Sequence, residues 1–94
     1  FAAQKLMDIR IKFIEGANVS LIKDILDDML DLKVLNEGEK EEVIENNRLT
    51  RDRARSLIDM VRKKGNSASE KFLEKLFSRD HNLFTSMGDP QTFL

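Results

Sequence analysis

Apolar residues recur along this chain at every third or fourth position, and the breaks in that rhythm divide it into six segments. The first predicts a helix from Ala2 to about Glu15, with Leu6, Ile9, Phe13 and Ile14 on one stripe and Gly16 expected to end it in a left-handed turn. Met7 and Ile11 fall off the stripe, which implies a bend or a second apolar contact. Asn18 can accept a hydrogen bond from a free amide of the next first turn, and Ile22, Ile25, Leu26, Met29 and Leu30 then carry a wide apolar face to about Leu32. In "NEGE", Asn36 and Glu39 have the spacing of a reciprocal cap, opening a short third helix that buries Val43 and Ile44 and ends near Asn47. Thr50 is expected to cap a fourth, whose Ala54, Leu57, Ile58 and Val61 follow the helical rule as far as Gly65. "SASE", Ser67 to Glu70, reads as a capping box before a fifth helix with Phe72, Leu73, Leu76 and Phe77 turned to the core. Asp80 is placed to cap a last helix containing Leu83, Phe84 and Met87, stopped by Gly88 and Pro90.

No stretch alternates apolar and polar residues between hairpin turns, so the fold class is all-α. The expected architecture is a six-helix antiparallel bundle over residues 2–88, followed by a loosely held tail at 89–94. In that bundle the second helix packs on the fourth or fifth, and Phe13, Leu26, Leu30, Leu57, Ile58, Leu73 and Leu76 are buried. With 94 residues the chain makes one domain, since two compact units would each be too small to bury a core. It has no cysteine, which excludes disulfides and thiolate chemistry and favours a cytoplasmic home. No apolar run approaches the ~20 residues that span a bilayer, so membrane insertion is not expected. A chain that opens on Phe1 reads as an excised fragment.

Charge changes the picture more than composition does. The formal net charge is only -1, yet "RLTRDRARSLIDMVRKKG", Arg48 to Gly65, carries seven Lys or Arg against two Asp. The compensating acid lies just before it: residues 18–45 hold nine Asp or Glu against three Lys, a net of -6, whereas residues 46–64 come to +5. Asp24, Asp27, Asp28 and Asp31 stand three and four apart, so a helix gathers them on one face, where like charges repel by a few tenths of a kcal/mol per pair. A solvated face is the ordinary reading of such charge on any one helix. Two blocks of opposite sign also suit a partner: unlike patches on different faces can pair head to tail between copies.

The run "VLNEGEKEEVIENN" into "TRDRARSLIDMVRKKG" and then "SASEKFLEKL", with "ILDDML" at Ile25 to Leu30 and "KVLN" at Lys33 to Asn36, resembles the caspase recruitment domain of the death-fold superfamily. It is most similar to the prodomain of inflammatory caspases of the interleukin-converting type, and the likeness covers roughly Leu6 to Gly88. The resemblance implies a non-catalytic module, free of cofactor, that binds its own kind. Basic residues of the first and fourth helices would meet acidic residues of the second and third. By position these are Arg10, Lys12, Arg53 and Arg55 on the basic side and Asp24, Asp27 and Asp28 on the acidic side, and the helical spacing adds Asp31 to the acidic patch. It further implies self-association into filaments and partners in the form of adaptors or receptors carrying the same domain, serving inflammasome signalling. The parent chain would be a cysteine protease, a domain-only decoy, or a receptor or adaptor.

Rival chemistries have weaker footing in the sequence. His81 is the lone histidine, there is no phosphate-cradling glycine loop, and paired carboxylates on a highly charged helix are ordinarily surface groups, so an enzyme is not expected. Calcium loops use a turn with closely spaced oxygens, not a regular helix, which argues against a metal at the aspartates. Nucleic acid is disfavoured by the acidic helices and the absence of Tyr and Trp for stacking. Arg62, Lys63 and Lys64 leave one alternative open. Some prodomains that this chain resembles bind lipopolysaccharide through clustered cations, although basic residues at a helix end also complement its dipole.

Overall fold

A computed structural model describes residues 1–86, in which six helices follow one another without a strand: α1 (Ala2–Gly16), α2 (Val19–Asp31), α3 (Glu37–Glu45), α4 (Thr50–Lys63), α5 (Asn66–Arg79) and α6 (His81–Ser86). The expectations for Met87, Gly88, Pro90 and the tail lie outside the described residues. α1 packs on α4 and α5, α2 on α5 and α4, α3 on α4 and α2, and α6 on α5. The first helix therefore shares the centre of the bundle with the second, fourth and fifth. One contiguous core results, with Phe13 and Phe72 edge to face at 5.2 Å in its middle, surrounded by Leu6, Ile9, Ile25, Leu26, Met29, Leu57, Ile58, Val61 and Leu76. Each such side chain contributes about 1.5–3 kcal/mol by leaving water.

Where the apolar stripe is unambiguous, expectation and structure agree; where it broadens, they part. Leu30 is half-buried and lines a cleft with Lys33, Val34 and Leu35. Phe77 is 45 % exposed and lies against His81 and Phe84 at the bundle edge, since the short α6 covers only one side of it. Ile11 and Met7 are exposed.

The helix ends show which caps the sequence specifies. Asn18 Oδ1 accepts from Leu21 N at 2.8 Å, Asp80 Oδ1 accepts from Leu83 N at 3.0 Å, and Asn36 and Glu39 form both halves of the capping box that opens α3. Thr50 is not a cap but the first residue of α4, with Leu49 in the extended capping position and no side-chain bond to the first turn. Nor does "SASE" form a box: α5 starts earlier, at Asn66, after Gly65 at φ 107, and buried Ser69 donates its hydroxyl to Gly65 O at 2.7 Å. Asn66 instead reaches across the fold, its Oδ1 accepting from Ala3 N at 3.1 Å in the first turn of α1.

Gly16 is the last helical residue of α1 and no left-handed turn follows, since Ala17 is extended. A Cβ there would come within 2.5 Å of Leu83 Cδ1, so the glycine admits α6 rather than reversing the chain. The left-handed residue comes after α2 and is not a glycine. Lys33, at φ 60, lets Lys33 N bond Leu30 O at 3.0 Å and Val34 N bond Met29 O at 2.9 Å, the paired closure that satisfies a helix's last carbonyls.

Candidate interaction surface

Most of the charge singled out in the sequence is tied down inside one molecule. On α2, Asp28 is 7 % exposed and both its oxygens are held by Arg79 of α5, Nη2 donating to Oδ1 at 2.7 Å and Nε to Oδ2 at 2.9 Å. Those hydrogen bonds outweigh the desolvation of the carboxyl and hold it below the usual carboxylate range, while Arg79 is pushed up. Asp27 accepts from Lys40 Nζ of α3 at 2.9 Å, which raises that lysine. Asp24, half-buried, and Asp31, exposed, have no ion-pair partner among the described residues. The acidic face of α2 is thus divided between two clasped carboxylates and two open ones.

The basic block is divided in the same way. Arg10 of α1 grips Asp59 of α4 through Nε to Oδ1 at 2.7 Å and Nη2 to Oδ2 at 2.8 Å, lowering the Asp59 carboxyl chiefly through those bonds. Arg55 donates to Asp52 Oδ1 at 2.6 Å along its own helix. Arg53 donates its Nε to the main-chain Asn47 O at 2.8 Å, which fastens the loop entering α4. Lys12 is exposed and unpaired among the described residues.

These four basic residues do not share one face. Arg10 and Arg55 line a groove of about 440 Å³ between α1 and the start of α4, together with Ile11, Ile14, Glu15, Ala17, Thr50 and Arg51. Arg53 lines another, with Val19, Ile22, Lys23, Leu26, Lys40, Ile44 and Thr50. Helical geometry explains the division: positions 51 and 55 are one turn apart, and position 53 is on the opposite side. Arg51 therefore joins the α1–α4 groove, a placement that its spacing of four from Arg55 already contained.

At the end of α4 the three cations have different surroundings. Arg62 Nη2 lies 3.5 Å from Asp59 Oδ1, Lys64 Nζ lies 2.8 Å from Glu39 Oε2 of α3, and Lys63 is exposed. The Lys64 hydrogen bond, with the backbone amide of Asn36 assisting, draws the Glu39 carboxyl down against its desolvation. This bridge is the one ion pair between the acidic 18–45 block and the basic 46–64 block among the described residues. The two blocks are otherwise paired within themselves, held by residues outside both, or left open, and they do not cancel each other.

No helix among the described residues is long and apolar enough to cross a membrane, and no three metal-ligating side chains gather there. Residues 3–89 match the family model described as caspase recruitment domain. Among curated proteins the chain is 39 % identical over 84 residues to caspase-1-A of Xenopus laevis, covering 89 % of this chain and 22 % of that protein. It is 34 % identical over 82 residues to caspase-1 of Equus caballus, 87 % of this chain and 20 % of that one. It is also 34 % identical over 80 residues to NLR family CARD domain-containing protein 4 of Rattus norvegicus, 85 % of this chain and 8 % of the relative. No solved structure matches it. The chain spans about a fifth of the length of the caspase relatives. With the family model covering nearly all of it and an all-α six-helix bundle beneath, the chain belongs to the caspase recruitment domains, a family of non-catalytic protein-interaction modules.

Proposed function

We propose that this domain recruits and oligomerises an inflammatory caspase in inflammasome signalling. It would do so by setting the basic α1–α4 groove of one copy or adaptor against the acidic α2–α3 surface of the next. The observation that carries the reading is the near-absence of pairing between the two charge blocks within one molecule, Lys64 to Glu39 being the single bridge among the described residues. Arg10, Arg51 and Arg55 then supply one half of the contact, with Lys12 on the same helix as Arg10. Asp24, Asp27 and Asp31 supply the other, Asp28 serving mainly to fix α5 on α2. Because the halves are unlike and lie on different helices, docking one leaves the other open on each copy, and such contacts propagate into filaments instead of closing. Domains of this family on an adaptor or receptor are the expected partners, in the cytoplasm.

The test is a charge exchange. Arg51→Glu together with Arg55→Glu, and separately Asp27→Lys, should each leave the helical content unchanged and abolish self-assembly followed by light scattering. Mixing the two variants should restore a contact, with a stoichiometric heterodimer in place of long assemblies. If the reversed variants assembled as the parent does, the pairing would be wrong. The lipopolysaccharide reading through Arg62, Lys63 and Lys64 is the alternative, and of those three cations Lys63 alone has no carboxylate beside it among the described residues.

A further inference from the structure

Thr50 stands where two grooves meet, the basic one between α1 and α4 and a largely apolar one rimmed by three cations. It lines the α1–α4 groove with Arg10, Arg51 and Arg55, and it lines the neighbouring groove with Lys23, Lys40 and Arg53. It is the first residue of α4, half-buried, and its hydroxyl is not used to cap that helix. Arg48 precedes it by two positions and Arg51 and Arg53 follow it by one and three. The loop before it is open: Arg48 is exposed, and Leu49 is 60 % exposed with an extended backbone at φ -90 and ψ 145.

We infer that Thr50 is a phosphorylation site whose occupation switches off the basic half of the contact, an inference that rests on the reading of the α1–α4 groove given above. The enzyme would be a serine/threonine kinase that reads Arg48 in the extended segment before the acceptor and the arginines of the first helical turn after it. Thr50 Oγ1 attacks the γ-phosphorus of a nucleoside triphosphate. The new Oγ1–P bond forms as the bond from that phosphorus to the bridging oxygen of the β-phosphate breaks, the hydroxyl proton passes to the kinase's carboxylate base, and the nucleoside diphosphate leaves. The product carries about -1.5 to -2 charges and three acceptor oxygens at a helix N-terminus beside several guanidinium groups, a setting in which a phosphate gains charge-assisted hydrogen bonds. It would occupy the donors of Arg51 and its neighbours that a partner's carboxylates otherwise take, and repel those carboxylates as well.

The experiment incubates the chain with a basic-directed serine/threonine kinase and magnesium ATP, locates phosphate by mass spectrometry, and measures the concentration at which phosphorylated and untreated protein assemble. The expected result is phosphate on Thr50, absent in Thr50→Val, and an assembly concentration raised by about tenfold or more. Thr50→Val, which keeps the shape without the hydroxyl, should assemble at one and the same concentration with and without kinase treatment, and Thr50→Glu should be impaired with unchanged helical content. No phosphate at Thr50, or a phosphorylated chain that assembles at the parent's concentration, overturns the inference. An untreated chain that never assembles overturns the contact itself and with it the effect assigned to the phosphate, an outcome visible without any kinase.

Discussion

Lys33 pays a steric penalty that a glycine would not. Its left-handed backbone, at φ 60, brings Cβ toward a carbonyl oxygen, yet the turn it makes closes α2 with two good hydrogen bonds. Lys33→Gly is therefore expected to stabilise the fold by about 0.5–1 kcal/mol, read as a higher urea midpoint at unchanged slope. Acid acts on different residues. Asp28 and Asp59 have carboxyl groups lowered by Arg79 and Arg10, so the folded state favours their ionised forms more than the unfolded chain does. Their contribution is full above the unfolded value of about 4 and is lost as pH falls through the lower folded values. Urea midpoints measured downward from pH 5 should decline, and Asp28→Asn should lower the pH 7 midpoint while flattening that decline. Neither clasp was legible in the sequence, because Arg10 and Asp59, like Asp28 and Arg79, are about fifty residues apart and nothing local says which helix faces will meet. Local chemistry was legible where side chain and backbone are three residues apart, as at Asn18, Asn36 and Asp80.

Among the elements, α3 has the least core to hold it. It is nine residues long with Val43 alone fully buried, so its capping box and the Glu39–Lys64 bridge bear an unusual share of its stability. Asn36→Ala removes the cap and should cost about 1 kcal/mol, with faster amide exchange confined to the first turn of α3. α4 shows why a start signal can mislead. Thr50 has the right chemistry for a cap, but capping also needs an extended backbone at that position, and Leu49 holds it. α5 repeats the lesson: Gly65 turns the chain one residue before Asn66, and Ser69 spends its hydroxyl on the Gly65 carbonyl inside the core. The stripe on α4 is fully legible, since Ala54, Leu57, Ile58 and Val61 are all buried. The distribution of its arginines between two grooves depends on which neighbours flank the helix, and the sequence alone does not state that.

At the scale of the whole molecule, the segmental charge count captures an imbalance, and the packing decides how much of it stays available. Sixteen cations and seventeen anions nearly cancel in sum, yet the fold spends many of them on holding helices together. Arg10 and Asp28 come from the first half of the chain, and their bidentate partners Asp59 and Arg79 come from the second. The apolar interface follows the same division, with α1 and α2 facing α4 and α5. Two peptides severed between Asn47 and Arg48 would each retain one hand of both handshakes and half of the oil between them. Mixed at equal amounts, they should reassemble the native bundle, recovering helical circular dichroism that neither shows alone. A scaffold that can be rebuilt from two pieces in this way offers a split reporter whose reconstitution would register the approach of two fused proteins in real time.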